Sequence, residues 1–241
     1  MSGAGIQSAV FLDLDSVDRD DLDLSRLTAS VSQWEWHGLV SDDDLHDILA
    51  GTDVVITNKV VLTDEHLSRA DRLKLVCIAA TGTNNVDIEA AARNNIAVCN
   101  VSAYATPAVV QHVFTLLLVL TTRFNEYTAA VRRGDWSRSP FFCLLDYPLR
   151  ELAGKRIGIV GYGNLGRAVA KVAAAFGMHV LLARRDAEDT RPERLDLHEL
   201  LPLVDVLTLH CPLTEHNRGM IGATELALMK HDAVLLSLIH I

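Results

Sequence analysis

Cysteine is scarce in this chain and shows no pairing pattern. The 241 residues contain four cysteines, namely Cys77, Cys99, Cys143 and Cys211. No Cys-x-x-Cys pair occurs, so neither a zinc site nor a disulfide framework is indicated. We therefore predict no metal site and four reduced thiols, most of them buried.

The chain also lacks an excess of basic charge. It carries 22 Lys and Arg against 31 Asp and Glu, a formal net charge of −9. Binding to nucleic acid or to a membrane surface needs a basic footprint that this composition does not provide. We predict neither partner. An anionic substrate is compatible with this charge only if positive groups are concentrated at the site.

Long hydrophobic runs are absent as well. The longest near mid-chain, Val113–Leu120, is far too short to span a bilayer. The N-terminal residues have no basic segment followed by an apolar run, so they do not form a secretory signal. We expect a cytoplasmic protein, and the length fits two domains.

Short apolar runs alternate with helical patterns over the first hundred residues, which predicts a parallel sheet covered by helices. We expect one open α/β domain over residues 1–103. Its predicted strands are 9–12, 31–36, 54–57, 75–79 and 96–99. Its predicted helices are 42–50, with Ser41 as N-cap, a helix from Thr63, and 87–93.

The second half begins with a long helix at Thr106, with Pro107 in its first turn. Its apolar residues run continuously over 109–120, which favours a buried helix, within the fold or between domains or subunits. Further strands are predicted at 156–160, 179–183, 205–209 and 233–236. Helices are predicted at 167–176, 197–203 and 224–229. We assign residues 104–241 to a second domain.

The strand at 156–160 leads into a glycine-rich turn of six residues: Gly161, Tyr162, Gly163, Asn164, Leu165 and Gly166. A Gly-x-Gly-x-x-Gly turn between a strand and a helix is typical of dinucleotide binding. The first glycine allows the tight turn, the second lets the backbone approach the pyrophosphate, and the third allows close helix packing. The alternative is a structural turn that holds no ligand.

Two arginines follow the next predicted strand. NAD sites usually have an acidic residue here for the ribose hydroxyls, but this chain has Arg184 and Arg185, with Asp186 one step later. Arginine suits a 2′-phosphate, so the sequence favours NADP over NAD. The alternative is a pair of solvated surface arginines.

Several segments together resemble the D-isomer-specific 2-hydroxyacid dehydrogenases, within them the glycerate dehydrogenase/hydroxypyruvate reductase group. They are 79–87, 105–107 with Gln111 and His112, 152–155, 175–178 and 207–214. The resemblance implies a flavodoxin-like substrate domain joined to an NAD(P)-binding Rossmann domain. It also implies hydride transfer between NAD(P)H and a small 2-keto acid, with hydroxypyruvate or glyoxylate reduced to D-glycerate or glycolate.

The resemblance also implies which residues bind. Backbone N–H groups of the loop Ala80–Thr83 would hold the substrate carboxylate, a role chemically suited to a glycine loop after a strand. The residues concerned are Thr81, Gly82 and Thr83. Asn58 and Lys59 are candidates by position, because they follow a strand C-terminus, where open sheets place ligands. Lys59 is equally compatible with an ordinary surface lysine. Thr106, His210, Cys211 and Pro212 would contact the cofactor, with Cys211 as a wall residue rather than a nucleophile.

The chain departs from the family pattern at its end. The family needs an arginine, a histidine and a carboxylate downstream of the strand at 233–236, whereas this sequence reads Ser237–Ile241, with His240 where the arginine belongs. We therefore predict no catalytic residue in this chain. We expect the Rossmann domain to be truncated after its fifth strand. The first domain, residues 1–103, would then lack the C-terminal segment that returns to it in the family. We also expect residues 237–241 to be foreign to the family.

Two further expectations follow from the resemblance. The family commonly dimerises through its cofactor domain, so a homodimer is expected. The alternative to an active reductase is a catalytically dead dinucleotide-binding fragment or a cofactor-sensing binding protein.

Overall fold

The computed structural model describes residues 5–186 and 188–238. The chain divides into two compact units, Met1–Tyr104 and Ala105–Ile241. Each unit contains one five-stranded parallel sheet, and among the described residues helical segments connect all of the consecutive strands except β7 and β8. The α/β class expected from the alternation of strands and helices is therefore confirmed.

The sheet of the first unit has the order β2-β1-β3-β4-β5, with every pairing parallel. This is the strand order of flavodoxin-like folds. The central strand β3 is buried at all four positions, as expected for a sheet covered on both faces. The strands are β1 Ser8–Phe11, β2 Gln33–Trp36, β3 Val54–Thr57, β4 Leu75–Ile78 and β5 Ala97–Asn100.

The helices of this unit are α1 Ser25–Thr28, α2 Leu45–Ala50, α3 Asp64–Ser68 and α4 Ile88–Arg93. Helix α2 begins three residues later than predicted, and Ser41 does not cap it. The Ser41 hydroxyl instead donates to Asp44 Oδ2 at 2.6 Å, within a turn that precedes the helix. Helix α4 was predicted to begin at residue 87, and the structure makes that residue its N-cap. The Asp87 side chain accepts a hydrogen bond from the Ala90 N–H at 2.8 Å.

The sheet of the second unit has the order β10-β9-β6-β7-β8, again with every pairing parallel. Numbered from its own first strand this is 5-4-1-2-3, the arrangement around the crevice of a Rossmann fold. The strands are β6 Arg156–Val160, β7 His179–Ala183, β8 Arg194–Leu195, β9 Val206–Leu209 and β10 Val234–Ser237.

The long helix α5 is apolar because one of its faces packs in the core of its own unit. Its buried residues are Val110, Val113, Phe114, Leu117 and Thr121, which recur at helical spacing. The four apolar ones pack in one cluster with residues of β6 and α8. The helices are α5 Thr106–Thr122, α6 Phe124–Arg132, α7 Asp135–Arg138, α8 Asn164–Ala175, α9 Leu197–Leu200 and α10 Ala223–Leu228.

The second unit departs from the sequence predictions in detail. Helix α8 begins at Asn164 rather than at residue 167, because Gly163 is its N-cap and the last glycine of the motif lies inside its first turn. Helix α6 and the two-residue strand β8 were not foreseen.

The expectation that most cysteines are buried was also wrong. Cys99 is exposed, and Cys77, Cys143 and Cys211 are partly exposed. Among the described residues, no single helix is long and apolar enough to cross a membrane. The consecutive helices α5 and α6, bent by 62°, meet those criteria only when taken together.

Candidate functional site

The glycine turn lies directly against the segment that follows β9. Gly161 has a φ of +92°, and a Cβ there would overlap the His210 carbonyl and the Cys211 nitrogen. A Cβ on Gly166 would overlap the carbonyl oxygen of Gly161. Both positions therefore require glycine for close backbone approach.

Gly163 is different, because the structure itself gives no reason for a glycine there. Its φ is −83°, which any residue adopts, and no atom of the described residues outside its immediate neighbours lies within 4 Å of a Cβ placed on it. The open space lies at the start of α8, a helix of 12 residues whose first N–H groups lack helical partners. A pyrophosphate suits that space, since helix N-termini stabilise anions. The turn therefore fits a dinucleotide.

The side chains of the turn are held from two sides. Arg167, one residue past the motif, donates to Asn164 Oδ1 at 2.8 Å and to the Tyr162 carbonyl at 3.4 Å. On the other side the guanidinium carbon of Arg194 lies 5.7 Å from the centre of the Tyr162 ring. Leu165 is partly buried in the first turn of α8.

Arg194 is a buried charge that the sequence did not reveal. It is 8% exposed, and its NH1 lies 3.4 Å from the Asp189 carboxylate. Its Nε is buried without a hydrogen-bond partner among the described residues. Asp189 also accepts two hydrogen bonds from Arg191 at 2.6 Å, which hold the pKa of that carboxyl well below its usual range.

Arg184 and Arg185 lie at the end of β7, and both are exposed. The Arg184 N–H donates to the Leu195 carbonyl of β8 at 2.7 Å, while its side chain has no bonding partner among the described residues. The Arg185 N–H donates to Asp189 at 3.1 Å, and its guanidinium pairs with Asp186 at 3.1 Å. Of the two arginines, Arg184 is therefore the one whose side chain is available to a ribose 2′-phosphate.

The segment after β9 begins with a buried histidine, His210, followed by the partly exposed Cys211 and the exposed Pro212. Burial lowers the pKa of His210 to about 4, and its Nε2 lies 2.9 Å from the Thr208 hydroxyl. Its Nδ1 is buried without a partner among the described residues. Burial raises the pKa of Cys211, so this residue stays a thiol, which agrees with a wall residue.

Two other predicted cofactor residues have different surroundings. The carbonyl of Pro212 accepts a hydrogen bond from the Asn217 side chain at 2.8 Å. Thr106, at the start of α5, has a buried hydroxyl without a hydrogen-bond partner among the described residues. His240 lies outside the described residues.

The predicted substrate residues gather at one edge of the first sheet. Asn58 and Lys59 follow β3, and Thr81, Gly82 and Thr83 follow the neighbouring strand β4. Carboxyl ends of adjacent parallel strands meet at the same edge, where open sheets bind ligands. The structure thus places the two predicted groups on adjacent strand ends.

A buried acid that the sequence analysis missed holds one of these segments. Asp13, 1% exposed, accepts backbone hydrogen bonds from Asn58 at 2.8 Å and Lys59 at 2.6 Å. The acidic residues that follow β1 are the sequence signal from which a functional acid at this strand end could have been predicted. The Thr81 hydroxyl holds the other segment by donating to the Val101 carbonyl at 2.8 Å. Lys59 itself is exposed.

Comparison with known proteins identifies the family. Residues 114–238 match the model of the D-isomer specific 2-hydroxyacid dehydrogenase NAD binding domain. The chain belongs to that family. It is 38% identical over 233 residues to the glycerate dehydrogenase of Methylorubrum extorquens, covering 96% of this chain and 72% of that protein. It is 33% identical to the hydroxypyruvate reductase of Blautia hydrogenotrophica, covering 95% and 73% of the two chains.

A solved structure shows the same fold with ligands. The D-lactate dehydrogenase of Aquifex aeolicus, complexed with NAD and lactic acid, matches with a TM-score of 0.78 and 27% identity. The match covers 95% of this chain and 68% of that one. The protein is accordingly an NAD(P)-linked oxidoreductase of 2-hydroxy acids whose cofactor is a nicotinamide dinucleotide. The relatives' names give no support to the non-catalytic alternative.

Proposed function

We propose that this protein reduces hydroxypyruvate or glyoxylate to D-glycerate or glycolate, with NADPH as its preferred hydride donor. The single observation that supports cofactor binding best is Gly163, which leaves open space at the N-terminus of α8. The substrate class is supported by the names of the relatives, a glycerate dehydrogenase and a hydroxypyruvate reductase.

In this proposal the turn Gly161–Gly166 binds the pyrophosphate through the backbone N–H groups at the start of α8. When bound, the nicotinamide supplies the hydride. The neutral segment His210, Cys211 and Pro212, together with Thr106, lines the cofactor. The buried Thr106 hydroxyl and His210 Nδ1 lack partners among the described residues, so both have hydrogen-bonding capacity to offer a ligand.

The preference for NADPH depends on the end of β7. Arg184 is exposed there and has no acidic partner among the described residues, whereas Arg185 is paired with Asp186. A 2′-phosphate would therefore meet Arg184 first, in a charge-assisted hydrogen bond. Arg185 would contribute once released from Asp186.

The substrate carboxylate would bind the N–H groups of Thr81, Gly82 and Thr83, with Lys59 and Asn58 beside them. The bond from the Thr81 hydroxyl to Val101 fixes the first residue of this loop. Lys59 would add the local positive charge that a chain of net charge −9 needs to attract an anion.

We assign no described residue to the proton-donor role. His210 is the histidine of the cofactor segment, and a pKa of about 4 leaves it neutral at pH 7. A neutral imidazole with so low a pKa is a poor match for a general acid at that pH. The arginine, histidine and carboxylate that the family resemblance calls for remain unassigned.

A homodimer through the second unit is also part of the proposal. Phe141, Phe142 and Leu145 are 72%, 92% and 83% exposed in the segment after α7. Large apolar side chains exposed this close together in one segment are typical of interaction surfaces. Light scattering of wild type and Phe142→Asp tests it: the proposal expects a dimer that the substitution converts to monomer, and a monomeric wild type would contradict it.

The substrate class is tested by binding with NADP⁺ present, because the oxidised cofactor cannot donate hydride and binding is measured without turnover. Calorimetry should show hydroxypyruvate and glyoxylate binding and no binding of hydroxyacetone, which lacks the carboxylate. Thr81→Val should weaken hydroxypyruvate binding roughly fivefold, the loss of about one hydrogen bond. The control is Thr28→Val, at an exposed threonine of α1 that is distant from Thr81 in the sequence. Equal binding of hydroxyacetone would contradict the proposal.

A further inference from the structure

Two cysteines face each other across neighbouring strands of the first sheet. Cys77 of β4 and Cys99 of β5 are direct partners in the parallel register, so both side chains lie on the same face. Their sulfur atoms are 3.5 Å apart. Adjacent strands are separated by about 4.8 Å, within the range of Cα distances that a disulfide spans.

Position in the sheet favours closure of this pair. Strand β5 is at the edge of the sheet and pairs only with β4 among the described strands. An edge strand has a partner on one side only, so it can shift by the remaining ångström or so more readily than a central strand. Cys99 is exposed, and Cys77 beside it is partly exposed.

We propose that Cys77 and Cys99 form an oxidation site that a hydroperoxide converts to a reversible disulfide. The exposed Cys99 thiolate attacks a peroxide oxygen, the O–O bond breaks, and Cys99 becomes a sulfenic acid as the first water or alcohol leaves. The Cys77 sulfur then attacks the sulfenic sulfur, the S–O bond breaks, and water leaves with the Cys77 proton. Two thiols lose two electrons, and the hydroperoxide gains them.

The two thiols are suited to different steps. Burial, together with the neighbouring Cys99, raises the pKa of Cys77 to about 12, so Cys77 remains protonated at neutral pH. It is therefore a poor first nucleophile, and it resolves an intermediate formed on its neighbour.

The strand ends connect this pair to the proposed substrate loop, and this part of the inference rests on the proposed function. The Val101 N–H donates to the Ala80 carbonyl at 3.1 Å, and Asn100 Nδ2 donates to the Thr81 carbonyl at 2.7 Å. A disulfide that pulls β5 towards β4 moves the partners of this loop. We expect oxidation to weaken hydroxypyruvate binding severalfold.

The test uses the whole chain, treated with hydrogen peroxide and then alkylated in denaturant before peptide mass analysis. Wild type should give a peptide pair linking Cys77 to Cys99, lighter by two hydrogen atoms and restored by dithiothreitol. Cys143→Ser should behave as wild type, and Cys77→Ser should leave Cys99 as a sulfenic or higher acid. Absence of the linked pair in folded wild type, or linkage to Cys143 or Cys211, would overturn the proposal.

Binding separates the two parts of the inference. Hydroxypyruvate titration of oxidised wild type, with peroxide-treated Cys77→Ser as the control, should show weaker binding only in wild type. Complete linkage with unchanged binding would overturn the effect on the loop. If reduced wild type itself fails to bind hydroxypyruvate, the proposed substrate is wrong, while the mass analysis still decides the oxidation site.

Discussion

The guanidinium carbon of Arg194 lies 5.7 Å from the centre of the Tyr162 ring. Arg194 is on the short strand β8, and Tyr162 is the second residue of the glycine turn. A buried cation over an aromatic face is worth about 1 kcal/mol or more. The third strand of the Rossmann sheet thus stabilises the turn that the proposed cofactor contacts.

We expect Arg194→Met to weaken binding of NADPH and NADH alike, by roughly fivefold, because it loosens Tyr162 without touching the 2′-position. Arg191→Met is the matched control, since it removes the other guanidinium that pairs with Asp189 and does not contact Tyr162 in the described structure. Cofactor fluorescence gives both dissociation constants. Loss confined to NADPH would show instead that Arg194 binds the 2′-phosphate.

Arg184→Ala should weaken NADPH binding about tenfold, the loss of one charge-assisted hydrogen bond, and leave NADH binding unchanged. Arg138→Ala, also an exposed arginine of the second unit, serves as the control. The same fluorescence titrations measure it. If Arg184→Ala leaves the NADPH constant unchanged, the arginines at the end of β7 are surface residues and the preference for NADP is wrong.

His210 gives a pH dependence whose sign is fixed by its lowered pKa. The unfolded chain takes up a proton near pH 6.5, but the folded chain does so only near pH 4, so protonation favours unfolding. The stability contribution is complete above about pH 6.5 and is lost as the pH falls towards 4. Allowing for partial solvent screening, the loss is roughly 2 kcal/mol.

The measurement is urea unfolding of wild type and His210→Asn at pH 7 and pH 5. We expect wild type to lose more stability than the variant over this interval, because asparagine does not titrate. His216→Asn, a histidine exposed to solvent, should keep the wild-type dependence. Identical losses in wild type and His210→Asn would show that His210 is not buried as described.

The sequence predicted the parts of this molecule that depend on local pattern. Strand β6 and the glycine-rich turn follow from the apolar run and the glycine spacing. Arg194 could not be foreseen, because a two-residue strand has no periodicity and an arginine is normally exposed. The Cys77–Cys99 pair could not be foreseen either, since it depends on the register between two strands 22 residues apart.

The start of α8 shows the same limit at smaller scale. Glycines favour turns, so the motif predicted a helix from residue 167, whereas the structure begins it at Asn164. The difference matters for the site, because it places the unpaired N–H groups immediately after Gly163. For Gly163 the motif predicted a close approach of the backbone to the pyrophosphate. Only the structure shows that a Cβ at this position would point into open space.

The most direct test is NADPH binding by calorimetry to Gly163→Ala and Gly51→Ala. In the part of the chain that the structure describes, no atom beyond the chain neighbours lies within 4 Å of the Cβ added at either position. Neither position has positive φ, so both variants should fold as wild type. We predict at least a tenfold weaker NADPH affinity for Gly163→Ala alone, because its methyl group occupies the pyrophosphate space. Wild-type affinity in Gly163→Ala, or no NADPH or NADH binding by wild type, would contradict the account.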